Sequence, residues 1–103
     1  MTQATIARDE AGIRESMAAY NAALNGGKTA AELQFDVKFA IAELVVMVPN
    51  WAYVRTNSAG TTFHRSLGKK LAEANQELFI FKKGDDGKWR IARYSFSPTN
   101  PPA

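Results

Sequence analysis

Between Glu73 and Phe96 the chain carries two apolar runs separated by four turn-forming residues, and this stretch limits what the remainder can build. Gln76–Lys83, centred on Leu78-Phe79-Ile80-Phe81, is apolar at nearly every position, and Lys88–Phe96 alternates long polar stems with aromatic side chains. Gly84-Asp85-Asp86-Gly87 between them is made of turn formers, with glycine available wherever the backbone needs a positive φ. The pattern predicts an antiparallel hairpin, around which the other segments must find places.

The segment before it is different in period. Ile6, Ile13, Met17, Tyr20 and Leu24 recur at spacings of seven, four, three and four, one stripe of an α-helix, with Arg8, Glu10, Arg14 and Glu15 on other faces. Thr5 or Asp9 could cap its start. Asn25-Gly26-Gly27 supplies a left-handed residue to end it. Gly12 weakens the first turns by ~1 kcal/mol relative to Ala. Lys28–Leu33 reads as a linker or a short helical turn. Phe35, Val37, Phe39 and Ile41 then alternate with polar and small residues, and the apolar parity switches to Leu44, Val46 and Val48. Because side chains alternate with period two, that switch predicts a long strand with a bulge or bend near Ala42–Glu43. Pro49-Asn50 is a turn, and Trp51–Asn57 a strand with Trp51, Tyr53 and Arg55 opposite Ala52, Val54 and Thr56. Ser58-Ala59-Gly60 reads as a second turn, Thr61–Phe63 as a strand start, and Ser66–Lys70 as a loop before a strand from about Ala74. Met1–Ala4 and the proline-rich Ser97–Ala103 are expected to be flexible. The expected architecture is α+β, a single domain over residues 1–103 with one N-terminal helix packed on a curved antiparallel sheet of about four strands.

With 103 residues, a core can form without staples. There is no cysteine, which excludes disulfides, thiolate chemistry and cysteine-ligated metals. No apolar run approaches the ~18 residues of a membrane span, and no basic-then-apolar export signal opens the chain. A cytoplasmic protein without membrane association is expected. The net charge of +3 comes from scattered residues, among them Lys69-Lys70, Lys82-Lys83, Lys88, Arg90 and Arg93. On the second hairpin strand Lys88 and Arg90 point away from Trp89, so no basic stripe with interleaved aromatics forms, and a nucleic-acid partner is not expected. His64 is the single histidine and has no spaced acidic partners for a metal site. Asp85-Asp86 belongs to the turn. Phosphate loops and a serine nucleophile elbow are absent, and no cofactor is called for.

Trp51–Thr56, Glu73–Phe81 and Trp89–Tyr94, together with Ile13-Arg14 and Tyr20–Gly27, resemble the SnoaL-like branch of the nuclear transport factor 2-like superfamily, which includes ketosteroid isomerases. The resemblance covers most of the chain and implies a cystatin-like cone, a curved sheet wrapped against helices around an apolar pocket, often in a dimer. One departure is large. The family continues after its first helix through further helices and a short strand that close the cone and carry an acidic catalytic position. Here Gly27 leads almost directly to the strand at Phe35, so the cone is truncated.

In the isomerase branch, a helix tyrosine and a carboxylic acid on the late sheet hydrogen-bond a developing enolate oxygen. By resemblance Tyr20 matches the tyrosine and Glu77 falls near the acid; the base that moves the proton has no matching position. The physical logic stands beside the analogy: a carboxyl among aromatic rings is desolvated, which favours its neutral form, and a neutral acid can donate a hydrogen bond. The plainer readings are a core tyrosine and a Glu77 paired with Arg55 or Arg93. Trp51, Tyr53, Phe79, Phe81 and Tyr94, with Trp89 and Phe96, are the candidate ligand-pocket residues, although aromatics at strand spacing more often form packed core or dimer contacts. Three functions follow: a binding protein for a small apolar ligand, a non-catalytic assembly module, or an isomerase- or cyclase-like enzyme. One helix covers only part of a four-stranded sheet, so a homodimer or higher homo-oligomer is expected to bury the remaining apolar face.

Overall fold

The computed structural model describes residues 2–26 and 33–99. A 23-residue helix, α1 (Gln3–Asn25), precedes four strands, β1 (Leu33–Val48), β2 (Trp51–His64), β3 (Lys69–Lys83) and β4 (Trp89–Pro98). The strands form one antiparallel sheet in the order β1-β2-β3-β4, each paired with its neighbour in sequence. The molecule measures 51 × 27 × 18 Å. A 23-residue helix spans only about 34 Å at 1.5 Å per residue, so α1 cannot run the length of the sheet. Among the described residues no helix is long and apolar enough to cross a membrane.

The helical stripe packs as its spacing predicts. Ile13 and Met17 are buried against Ala52, Val54, Phe79, Phe81 and Trp89, with Tyr20, Phe39, Ile41, Leu44, Val46 and Ile91 around them. Phe79 and Phe81 are fully buried, each contributing on the order of 2 kcal/mol of transfer free energy. The stripe also contains a charged member. Asp9, one turn before Ile13, is 3% exposed; its Oδ1 accepts from Trp89 Nε1 at 3.4 Å and faces Lys83 Nζ at 3.1 Å, while Oδ2 has no partner. This contact ties α1 to the start of β4.

The parity switch in β1 is a register shift between Ile41 and Glu43. The extra residue restores apolar side chains to the helix-facing side, so Ile41, Leu44 and Val46 all join the core. Pro49-Asn50 makes the two-residue β1–β2 turn. In the β3–β4 turn Gly84 N–H donates to Lys88 O at 2.8 Å, and Gly87, at φ 79°, takes the left-handed position.

Four boundaries differ from the expectation. The helix is capped by Thr2, whose hydroxyl accepts from Thr5 N–H, so Gln3 and Ala4 are helical rather than loose. Gly26 has right-handed dihedrals, and Gly27, with most of the Lys28–Leu33 linker, lies outside the described residues. Ser58-Ala59-Gly60 is not a turn, because β2 continues to His64 and β3 begins at Lys69. A Cβ at Gly60 would lie 2.0 Å from Asp36 O and 2.8 Å from Val37 Cα, so this glycine permits close approach of two backbones within the sheet. At the other end, Ser97 and Pro98 pair with Gln76 and Asn75, and Thr99 N–H donates to Ala74 O. Proline is tolerated there because β4 is an edge strand.

The other edge, β1, is met by side chains. Asn25 accepts from Val37 N–H and donates to Val37 O, both at 2.8 Å, while Asn21 donates to the same carbonyl at 2.7 Å and accepts from Phe39 N–H at 3.2 Å. One helical turn apart, the two amides extend the ladder of β1 in place of a fifth strand.

Candidate functional site

Where α1 ends over the sheet, the strands continue and leave a cavity of about 340 Å³ between them. The helix contributes Tyr20 and Leu24; β1 contributes Phe35, Val37 and Phe39; β2 adds Ser58, β3 adds Glu73, Asn75 and Glu77, and β4 adds Tyr94 and Phe96. Strand parity accounts for these residues. Glu77 pairs with Thr56 on β2 and with Phe96 on β4, and Phe79 pairs with Val54 and Tyr94, so all of these share the helix-facing side.

Glu77 is 5% exposed. Its Oε1 accepts from Thr56 Oγ1 at 2.7 Å and its Oε2 from Ser58 Oγ at 2.5 Å. Neither Arg55 nor Arg93 reaches it: Arg55 pairs with Glu43 at 2.7 Å, and Arg93 donates to Ala92 O. Tyr20 stands edge-on to Phe39 and Phe79, with ring centroids 5.6 and 5.5 Å away, and 6.3 Å from Tyr94. Tyr94 lies 4.8 Å from Phe79 and stacks on Phe96 at 5.7 Å. Although Tyr94 is 44% exposed as a residue, burial pushes its phenol up to about 12, with the Tyr20 phenol and the Glu77 carboxylate acting in the same direction.

Of the residues singled out in the sequence, Tyr20, Glu77 and Tyr94 therefore meet at one cavity. Phe79 touches the rings of Tyr20 and Tyr94, and Phe81 lies in the core beside Phe79. Trp51 and Tyr53 stand on the opposite face of the sheet. Lys82 Nζ sits 5.2 Å from the Trp51 ring centroid, and Tyr53 joins Glu43 and Arg55. There the Arg55 guanidinium and then the Tyr53 phenol lower the Glu43 pKa, and burial followed by Glu43 raises that of Tyr53. A trough of similar volume on that face, around Asn57, Gln76, Leu78 and Ser95, is more open to solvent, and its one cation, Arg55, is already paired.

Phe96 was among the aromatic candidates from the sequence, whereas Ser58, Glu73 and Asn75 were not. Ser58 lay in a segment read as a turn, and Glu73 just before the expected start of a strand near Ala74. The signal available was parity: Ala52, Val54, Thr56 and Ser58 continue one buried row. Among the described residues no group of three or more His, Cys, Asp or Glu is placed to hold a metal ion.

No family model matches the chain, and no curated protein matches it in sequence. Solved structures do. A ketosteroid isomerase-like protein from Erwinia carotovora atroseptica SCRI1043 superposes with a TM-score of 0.76 at 25% identity, over 97% of this chain and 100% of that one. A conserved protein from Planctomyces limnophilus DSM 3776 superposes with a TM-score of 0.58 at 26% identity, over 65% of this chain and 53% of that one.

Proposed function

Because this chain has the ketosteroid isomerase-like fold of the nuclear transport factor 2-like superfamily, we propose that it binds a small, largely apolar organic molecule in the cavity beneath the end of α1. The observation that carries this reading is a buried carboxyl, Glu77, held by two hydroxyls on the wall of a largely apolar cavity. Ligand sites are mostly apolar concavities with a few fixed polar groups, from about 300 Å³ upward, and this one has that size and composition. Tyr20 and Tyr94 add two phenols to the lining. Acid–base catalysis would need one of the carboxyls to move a proton at a reacting carbon while a phenol stabilises the oxygen; Tyr20 and Glu77 are the residues to test for it.

A second reading concerns assembly. Phe96 is 59% and Leu71 43% exposed on the helix-facing side, and Leu78, Trp51 and Met47 are exposed elsewhere. Apolar surface of this extent favours a homodimer that covers the open wall of the cavity.

Native mass spectrometry of gently purified protein tests both readings, followed by thermal shift against steroid-like and polyketide-like compounds. Binding is expected to raise Tm, since a ligand held only by the folded state stabilises it. Filling the cavity by Leu24→Trp is expected to abolish the shift. A protein that carries no added mass and responds to none of the compounds would overturn the binding reading; a monodisperse monomer would overturn the assembly reading.

A further inference from the structure

We infer that the ligand of this cavity is an organic ammonium ion, a protonated amine or quaternary ammonium carried on an apolar body; the inference rests on the binding reading above. The chain has 13 Lys and Arg residues against 10 Asp and Glu, yet among the described residues no cation lines the cavity, while Glu73 and Glu77 both do. Buried carboxylates are ordinarily paired with a cation or held by a metal, and elsewhere this protein follows that habit. Asp9, as buried as Glu77, has Lys83 beside it, and the exposed Glu43 and Asp86 have arginines. Glu77 has only the hydroxyls of Thr56 and Ser58. Among the described residues its charge has no counterion, and the side of the carboxyl region left open is the cavity.

The walls fit the same class of ligand. Tyr20, Phe35, Phe39, Tyr94 and Phe96 surround the space, and Tyr20 meets Phe39 at 64° while Tyr94 and Phe96 stack at 20°. Aromatic side chains gathered around a small volume supply the kind of wall that holds quaternary ammonium groups by cation–π attraction. An anion would meet two carboxyls. A neutral apolar molecule would bury Glu77 further without answering its charge. An inorganic cation would lack the ligand set, since Glu73 and Glu77 are the two carboxyls on the lining.

The test compares two probes of one shape: benzyltrimethylammonium and its neutral carbon isostere, neopentylbenzene. Binding is read from amide chemical-shift changes in the intact protein, at low and high salt. The cation is expected to bind at least about ten-fold more tightly, to shift amides of β3 and β4 around Glu77 and Tyr94, and to weaken with salt. Glu77→Gln is expected to remove most of that preference while leaving the neutral probe unchanged. Glu73→Gln, which breaks no hydrogen bond shown here, gives a second reading should Glu77→Gln fail to fold. Equal binding of the two probes would overturn the ammonium inference and leave the binding reading intact. Binding of neither, up to millimolar concentration, would overturn the ammonium inference, and the binding reading is then decided by the mass and thermal-shift measurements above.

Discussion

Replacing Asn25 with alanine tests whether the edge of β1 is held by the helix. The substitution deletes two hydrogen bonds of 2.8 Å, one to Val37 N–H and one to Val37 O. A typical intramolecular hydrogen bond contributes about 0.5–1.5 kcal/mol net, so the pair is worth about 1–3 kcal/mol. Two effects offset part of this. Alanine is the better helix former by roughly 0.6 kcal/mol, and the site is only partly buried, so water can reach the freed groups. Val37 O also keeps the amide of Asn21, which leaves Val37 N–H as the donor stranded at the edge. The expected net loss is about 1–2 kcal/mol, and each kcal/mol lowers Tm by roughly 4–8 °C in a domain of this size. Urea titration gives the loss, and native-state hydrogen exchange locates it. Val37 N–H is expected to lose protection, whereas Phe39 N–H, which bonds Asn21, keeps it. Asn21→Ala is expected to reverse that pattern, and the double variant to be non-additive because both amides share one carbonyl. An unchanged midpoint together with unchanged protection at Val37 would refute the idea that side chains extend this ladder.

Gly60→Ala is expected to cost about 3 kcal/mol or more in urea unfolding, since its Cβ would meet Asp36 O at 2.0 Å and backbone has nowhere to recede; a loss below about 1 kcal/mol would mean the strands are not so close. Lys83→Met leaves Asp9 buried with its charge unanswered and is expected to cost about 2–4 kcal/mol, most of it recovered in the Asp9→Asn/Lys83→Met double variant, which keeps an acceptor for Trp89. Tyr94 predicts an alkaline effect. Its folded pKa of about 12 lies above the ordinary 10, so the folded state holds its proton longer, and the stabilisation present below pH 10 is lost as pH rises towards 12. In Tyr94→Phe that part of the alkaline decline is expected to disappear, as read from denaturant midpoints at pH 9 and 11.5.

Much of this was legible because two periodicities are clean. The apolar stripe Ile13–Met17–Tyr20–Leu24 and the parity switch at Ala42–Glu43 each translate directly into a packed helix face and a bulged strand. The errors share one cause. Ser58 and Gly60 are residues that local propensity assigns to turns, and here the sheet overrides it: Ser58 is used for its hydroxyl and Gly60 for its missing side chain. Proline at 98 was likewise read as a stop, although an unpaired edge accepts it. The meeting of Tyr20 with Glu77 came from a family resemblance, while the exile of Trp51 and Tyr53 to the far face followed from strand parity that the sequence already displayed. Asp9 was hidden by its type, since a carboxylate on an apolar stripe looks like a cap until Lys83 and Trp89 are seen beside it.

The contact between Asp9 and Trp89 joins residues 80 positions apart and bears on the order in which the molecule assembles. During synthesis, at roughly 5–20 residues per second, α1 emerges first and waits several seconds for the strand on which its first half rests. Most helical stability in a folded protein comes from packing, so α1 gains its full support only when β4 adds Trp89 to the cover that β1, β2 and β3 give it. A nascent chain halted after β3 would hold its apolar stripe without Trp89 to cover it, and the final strand made is the one that settles the first helix.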